Sequence, residues 1–143
     1  MENFQVNRRY KTICTSVLGM IATGDGKLLL CNHLGEQQGV VVYGENGKHI
    51  KTVKLKESHF DIAFISRTDQ YVVTLPFVYS IQFMNKDLTL DKRVKLKCTN
   101  YINGVATSHQ YIYIGEYMKI LVLDFNGIGL REISINGFAL CWT

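Results

Sequence analysis

Proline is almost absent from this chain of 143 residues: Pro76 is the only one, so no proline-rich linker divides it. Cysteine is sparse. Cys14, Cys31, Cys98 and Cys141 are scattered, and no two make the Cys-x-x-Cys pair of a zinc or redox site. Three lie in or beside apolar runs, where a free thiol packs as a small hydrophobe, so reduced thiols in a cytoplasmic protein are expected. No segment reaches the roughly 18 apolar residues of a membrane span. The polar start of the chain carries Arg8-Arg9 with no apolar stretch behind it, which argues against a signal peptide. Charge is also limited. The net of +4 is mildly basic, which permits nucleic acid or acidic partners but requires neither.

What the chain does have is a period. Lys11-Thr12-Ile13 returns as Lys51-Thr52-Val53, as Lys92-Arg93-Val94 and as Glu132-Ile133. The apolar anchors at 13, 53, 94 and 133 stand 40, 41 and 39 residues apart. A second column, Tyr43, Phe83 and Leu123, keeps a spacing of 40. Each unit reads as four short strands. The first unit has strands at 17–22, 27–31, 40–43 and 49–55, joined by the turns Gly24-Asp25-Gly26 and Gly44-Glu45-Asn46-Gly47. The second reads 60–65, 71–75, 78–83 and 92–96, and the third 102–107, 111–114, 120–123 and 130–135. No helical period competes.

A repeat of about forty residues built from alternating strands predicts an all-β propeller-type array. The expected blades are 17–56, 59–97 and 101–135, in one domain over 1–143. Residues 7–14 align with a fourth strand, and 137–143 open like the start of the third unit, so a flanking strand is expected at each end. Closed propellers have about four to eight blades. A partial propeller is therefore expected, either missing blades or pairing to cover its flanks.

Asp25-Gly26-Lys27-Leu28-Leu29-Leu30, Val40 to Ile50 and Leu121-Val122-Leu123-Asp124-Phe125-Asn126-Gly127 together resemble the NHL repeat. In that family an Asp-Gly turn precedes an apolar strand, and a later strand ends in an aromatic before an Asp, Asn and Gly turn. The resemblance spans 17–135. The family's Asp at the end of the second strand is replaced by Cys31-Asn32, Leu75-Pro76 and Gly115-Glu116. The units are similar to divergent propellers at the C-terminus of tripartite-motif-like proteins. That implies a protein-binding module or an RNA-binding platform.

The chemistry-bearing residues are few. Lys48, Lys51, Lys54 and Lys56, with Lys92, Arg93, Lys95 and Lys97, fall on the fourth strands. Their alternation with apolar residues is what solvated edge strands need. Asp61, Asn103 and Asn136 stand at matching inner-strand positions. Oxygen ligands so placed suit calcium, and would be similar to those of calcium-dependent six-bladed lactonases, but Gly19 leaves the fourth carboxylate missing. His33, His49, His59 and His109 share no metal-ligand spacing, and no nucleophile motif occurs. Neither a catalytic nor a cofactor residue is expected. The candidate partner-binding residues are Lys56, His59, Lys97, Asn100 and Tyr101, in the loops between blades, where propellers place recognition. A protein partner is the leading expectation; RNA and a calcium-dependent hydrolase fragment are the alternatives.

Overall fold

Alternating apolar residues bury one face of a strand and force strands to pair. The computed structural model describes residues 9–135, and three four-stranded antiparallel sheets fill them. The first holds β1 (Val17–Ala22), β2 (Leu28–Asn32), β3 (Gly39–Tyr43) and β4 (His49–Lys54). The second holds β5 (Ile62–Ile65), β6 (Gln70–Leu75), β7 (Ser80–Asn85) and β8 (Leu90–Lys95). The third holds β9 (Ile102–Thr107), β10 (Ile112–Glu116), β11 (Lys119–Leu123) and β12 (Gly129–Ser134). Strands follow chain order in every sheet. The inner strand β5 touches both β1 and β9, so the sheets fan out from their first strands as propeller blades do.

The core lies between blades. Leu29, Cys31, Val40, Val42, Val53 and Leu55 face Ile62, Tyr71, Val73, Leu75, Met84 and Leu88. On the other side of the second sheet, Ala63, Ile65, Val72, Ile81 and Phe83 face Ile102, Ile112, Ile114, Leu121 and Leu123. Val72 and Val73 are neighbours in β6 yet serve opposite cores, which is the period of two at work.

The period also appears in the backbone. Gly39, Tyr79 and Met118 each precede or open the third strand of a blade, and all three have positive φ. Gly47, Leu88 and Gly127 do the same in the turn before the fourth strand. Gly39 has no substitute: a Cβ there would lie 2.1 Å from the Val53 carbonyl oxygen.

Three expectations need correction. Residues 9–14 do not form the flanking strand expected over 7–14. Among the described residues no strand pairs with them, and their polar groups turn to the first sheet. Ile13 N–H donates to Tyr43 Oη at 2.9 Å, and Thr12 Oγ1 lies 3.0 Å from the same oxygen. Cys14 packs on Leu30, Val41 and Tyr43. The strand expected from 78 starts at Ser80, because Pro76–Val78 forms a 3-10 turn that ends in left-handed Tyr79. The strand expected from 60 starts at Ile62, because Asp61 takes the Ile62 N–H on its own Oδ1 at 2.9 Å. The strand expected over 137–143 lies outside the described residues, as do Asn136, Cys141 and Trp142.

Candidate functional site

In an antiparallel meander the loops alternate between two ends. The inter-blade loops 55–61 and 96–101 therefore share one end with the β2–β3, β6–β7 and β10–β11 loops. Large apolar side chains crowd that end. Phe77 is 63% exposed, Tyr101 56% and Tyr117 70%, with Leu34 and Met118 beside them in the same set of loops. Tyr101 stacks on Tyr79 with centroids 5.8 Å apart and planes 5° from parallel, and Phe77 meets Tyr101 edge-on at 5.6 Å. Tyr79 holds its ring there from a left-handed backbone, a conformation costly for a side chain with a Cβ.

Below these rings is a cavity of about 300 Å³, lined by Leu18, His33, Ser58, His59, Phe60, Pro76, Phe77, Tyr101 and Asn103. His59 is 1% exposed; the backbone of Glu57, Gly39 and Asn32 stands around its ring, but among the described residues neither ring nitrogen makes a hydrogen bond of good geometry. Nδ1 of His33 is buried and unpartnered as well. Burial is the main cause that lowers the His59 pKa; the backbone at Glu57 and Gly39 opposes it, and His33 adds to it. A larger cavity, of about 690 Å³, opens at the opposite end near Lys27 and Asp87. Its Lys27 is already paired with Asp25 at 2.9 Å, so size alone does not mark the site.

Polar side chains fasten the segments that lead into β1 and β9. Asn32, at the end of β2, accepts the Thr15 and Ser16 N–H groups on Oδ1 at 3.0 and 3.1 Å. Glu116, at the end of β10, accepts the Thr99 and Asn100 N–H groups on Oε1 at 3.0 and 2.8 Å. Burial pushes the Glu116 pKa up, but these donors, the Thr99 hydroxyl and nearby Lys119 outweigh it, and the net shift is downward. Its Oε2 has no hydrogen bond and only Lys119 Nζ at 3.4 Å.

Of the residues expected to meet a partner, the structure brings His59 and Tyr101 to one cavity. Lys56 is exposed, and its carbonyl accepts from Gln38 Nε2 at 3.0 Å. Lys97 faces a separate cleft between β8 and β12. Asn100 donates its N–H to Glu116, and its Nδ2 to Thr99 Oγ1 at 3.3 Å. Sequence reasoning left out His33, Phe60 and Phe77. Phe77 had a signal: it follows Pro76, outside any strand that could carry it into the core.

Asp61 acts as a brace between blades. Its Oδ2 accepts the Val105 N–H of the third sheet at 3.1 Å. Gly19 sits so close that a Cβ there would lie 2.7 Å from Asp61 Oδ1, so the position matched to a fourth carboxylate has no room for a side chain. Asn103 lines the histidine cavity instead of joining Asp61's hydrogen bonds. Among the described residues no three His, Cys, Asp or Glu side chains group as metal ligands. The lysine-rich edge is partly engaged: Arg93 grips Glu57 with two bonds of 2.7 and 2.9 Å, and that contact lowers the Glu57 pKa. Lys92 lies over the Phe83 ring at 4.9 Å.

No family model matches the chain, and no curated protein matches it. Solved structures do. It is similar to the hydrazine synthase of Kuenenia stuttgartiensis, with TM-score 0.73, 15% identity, and 94% of this chain covering 40% of that one. Virginiamycin B lyase of Staphylococcus aureus gives TM-score 0.68 at 15% identity, with 85% of this chain on 42% of that one. The Pan2 WD40 domain of Neurospora crassa gives 0.67 at 13%, with 82% of this chain on 36% of that one. The chain spans less than half the length of these proteins. The likeness establishes a β-propeller-type fold, and because lyase, synthase and WD40 domain share it, it assigns no activity. No helix among the described residues is long and apolar enough to cross a membrane.

Proposed function

We propose that this chain is a non-catalytic binding module that offers the loop end of a propeller to a protein partner. One observation carries the reading: exposed Phe77, Tyr101 and Tyr117 lie on a single end, with Tyr79 propping Tyr101. Exposed rings gathered on rigid loops are the composition of interface centres. Apolar side chains of this size left in water on a folded scaffold mark a docking face. The Asp-Gly and Asn-Gly turns support an NHL-type array like that of tripartite-motif-like proteins, and three free cysteines support a cytoplasmic setting. Pairing with further blades or with a second copy belongs to the same reading.

A phage-displayed peptide library panned on the chain tests it. Enriched peptides are expected to lose at least about tenfold in affinity when Phe77→Ser and Tyr117→Ser are combined, a loss of about 1.4 kcal/mol. Lys86→Ala, in a turn at the other end, should leave binding intact. Peptides indifferent to the aromatic pair would sink the reading. So would tight, salt-dependent binding of single-stranded RNA that is lost on Lys56→Ala and Lys97→Ala, since that is the phosphate signature.

A further inference from the structure

The cavity beneath the aromatic end holds more polar capacity than the fold uses. His59 is one of the least exposed side chains of the first inter-blade loop, and neither of its nitrogens makes a well-formed hydrogen bond, although the backbone of Glu57, Gly39 and Asn32 lies near the ring. His33, from the β2–β3 loop, adds a third such nitrogen to the lining of the same cavity. Buried polar groups are normally paired, and two histidines from different loops whose nitrogens lack well-formed hydrogen bonds in one hollow call for a reason. These histidines do not brace the blades. Asp61 does that work through its bond to Val105, while Asn32 and Glu116 fasten the segments that lead into β1 and β9.

The lining defines the ligand. Among the described residues no lysine, arginine, aspartate or glutamate lines the cavity, so no fixed charge there waits to pair with an ion. A neutral imidazole offers one donor and one acceptor, so a matching ligand edge carries an acceptor beside a donor. The walls are flat: Phe60, Phe77, Pro76 and Tyr101 supply ring faces and edges, and Leu18 closes the apolar side. Flat walls favour a flat, stackable guest. A volume of about 300 Å³ fits one or two fused rings and little more.

We propose that this cavity binds an uncharged planar nitrogen heterocycle, its hydrogen-bonding edge against His33 and His59 and its face against Tyr101 and Phe77. The inference stands apart from the protein-docking reading, because its evidence is the buried imidazole nitrogens and not the exposed rim.

Free uracil and free adenine are the probes, benzoate the charged control, and the full chain labelled with nitrogen-15 the target. Uracil or adenine at millimolar concentration is expected to shift the imidazole nitrogen signals of His33 and His59 and to raise the melting temperature. Benzoate should do neither. His33→Gln is expected to weaken binding about fivefold or more, through loss of one or two hydrogen bonds. Tyr101→Ala should weaken it by a similar factor, and because Tyr101 is exposed at the rim this variant folds even where a change at His59 disturbs packing. The proposal fails if neither base moves the histidine signals, or if benzoate binds as well as the bases. It fails equally if both variants bind like the parent chain, or if only an oligouridylate and not free uracil produces the shifts.

Discussion

At the scale of single residues, His59 carries the clearest consequence. Burial lowers its pKa below the usual 6.5, with His33 adding to the effect. The folded chain therefore releases this proton more readily than the unfolded chain. Between the lowered folded value and 6.5 the unfolded state binds more protons, so stability rises with pH there. Above about pH 6.5 the neutral ring costs nothing further, and as pH falls below it stability is lost, by at most about 1.4 kcal/mol per pH unit. Glu57, in the same loop, is held ionised by Arg93 and does not titrate in this window, and His33 is the other titratable imidazole of the cavity. The expected outcome is a urea midpoint that drops between about pH 7.5 and about pH 5.5 in the parent chain and drops less in His59→Gln. Equal slopes in the two would show that His59 is not the group responsible.

At the scale of elements, the ends of the second strands decide how the segments leading into the first strands are held. Counting letters, Cys31-Asn32, Leu75-Pro76 and Gly115-Glu116 are departures from the repeat. In space, two of the three still put an acceptor where loop N–H groups need one, Asn32 for 15–16 and Glu116 for 99–100. Glu116→Ala strands both N–H groups next to the core, at a cost of about 3 kcal/mol. Glu116→Gln keeps an acceptor and should cost less than half as much. Because the folded pKa of Glu116 is lowered, its contribution is whole above about pH 4.3 and fades as pH falls through the folded value. Chemical denaturation of the three chains at neutral pH checks the order; an alanine variant as stable as the parent would refute the clamp. The strands themselves were legible because period two and the Asp-Gly and Asn-Gly turns are local signals. The cavity was legible only in part. Tyr101 and His59 sit in inter-blade loops that the repeat register reaches directly. His33 and Phe77 come from loops of different blades with no recurring letters, and their meeting depends on how the sheets fan.

At the scale of the molecule, the three outermost strands are unequally protected. β4 carries Lys51 and Lys54 exposed along its length, and β8 carries Lys92, Arg93 and Lys95. Such charges keep a foreign strand from adding to an edge. β12 is exposed at every residue but has fewer free charges. Glu132 is tied to Lys119 at 3.0 Å, and Arg131 lies over the Tyr111 ring at 5.6 Å. Leu130 and Ile133 stand in water beside Ile128. That edge, beside the cleft between β8 and β12 that Leu121, Leu123 and Ile128 line together with Lys95, Lys97 and Glu132, is where a second chain is expected to join. The purified chain should associate with rising concentration in sedimentation velocity. Leu130→Lys combined with Ile133→Lys should weaken that association at least about tenfold, because two lysines on one edge must be desolvated or repel their copies. Both residues are exposed, so the variant's stability should stay within about 1 kcal/mol of the parent's. A parent chain that stays monomeric and monodisperse across the accessible concentrations would show that β12 is an adequately guarded edge.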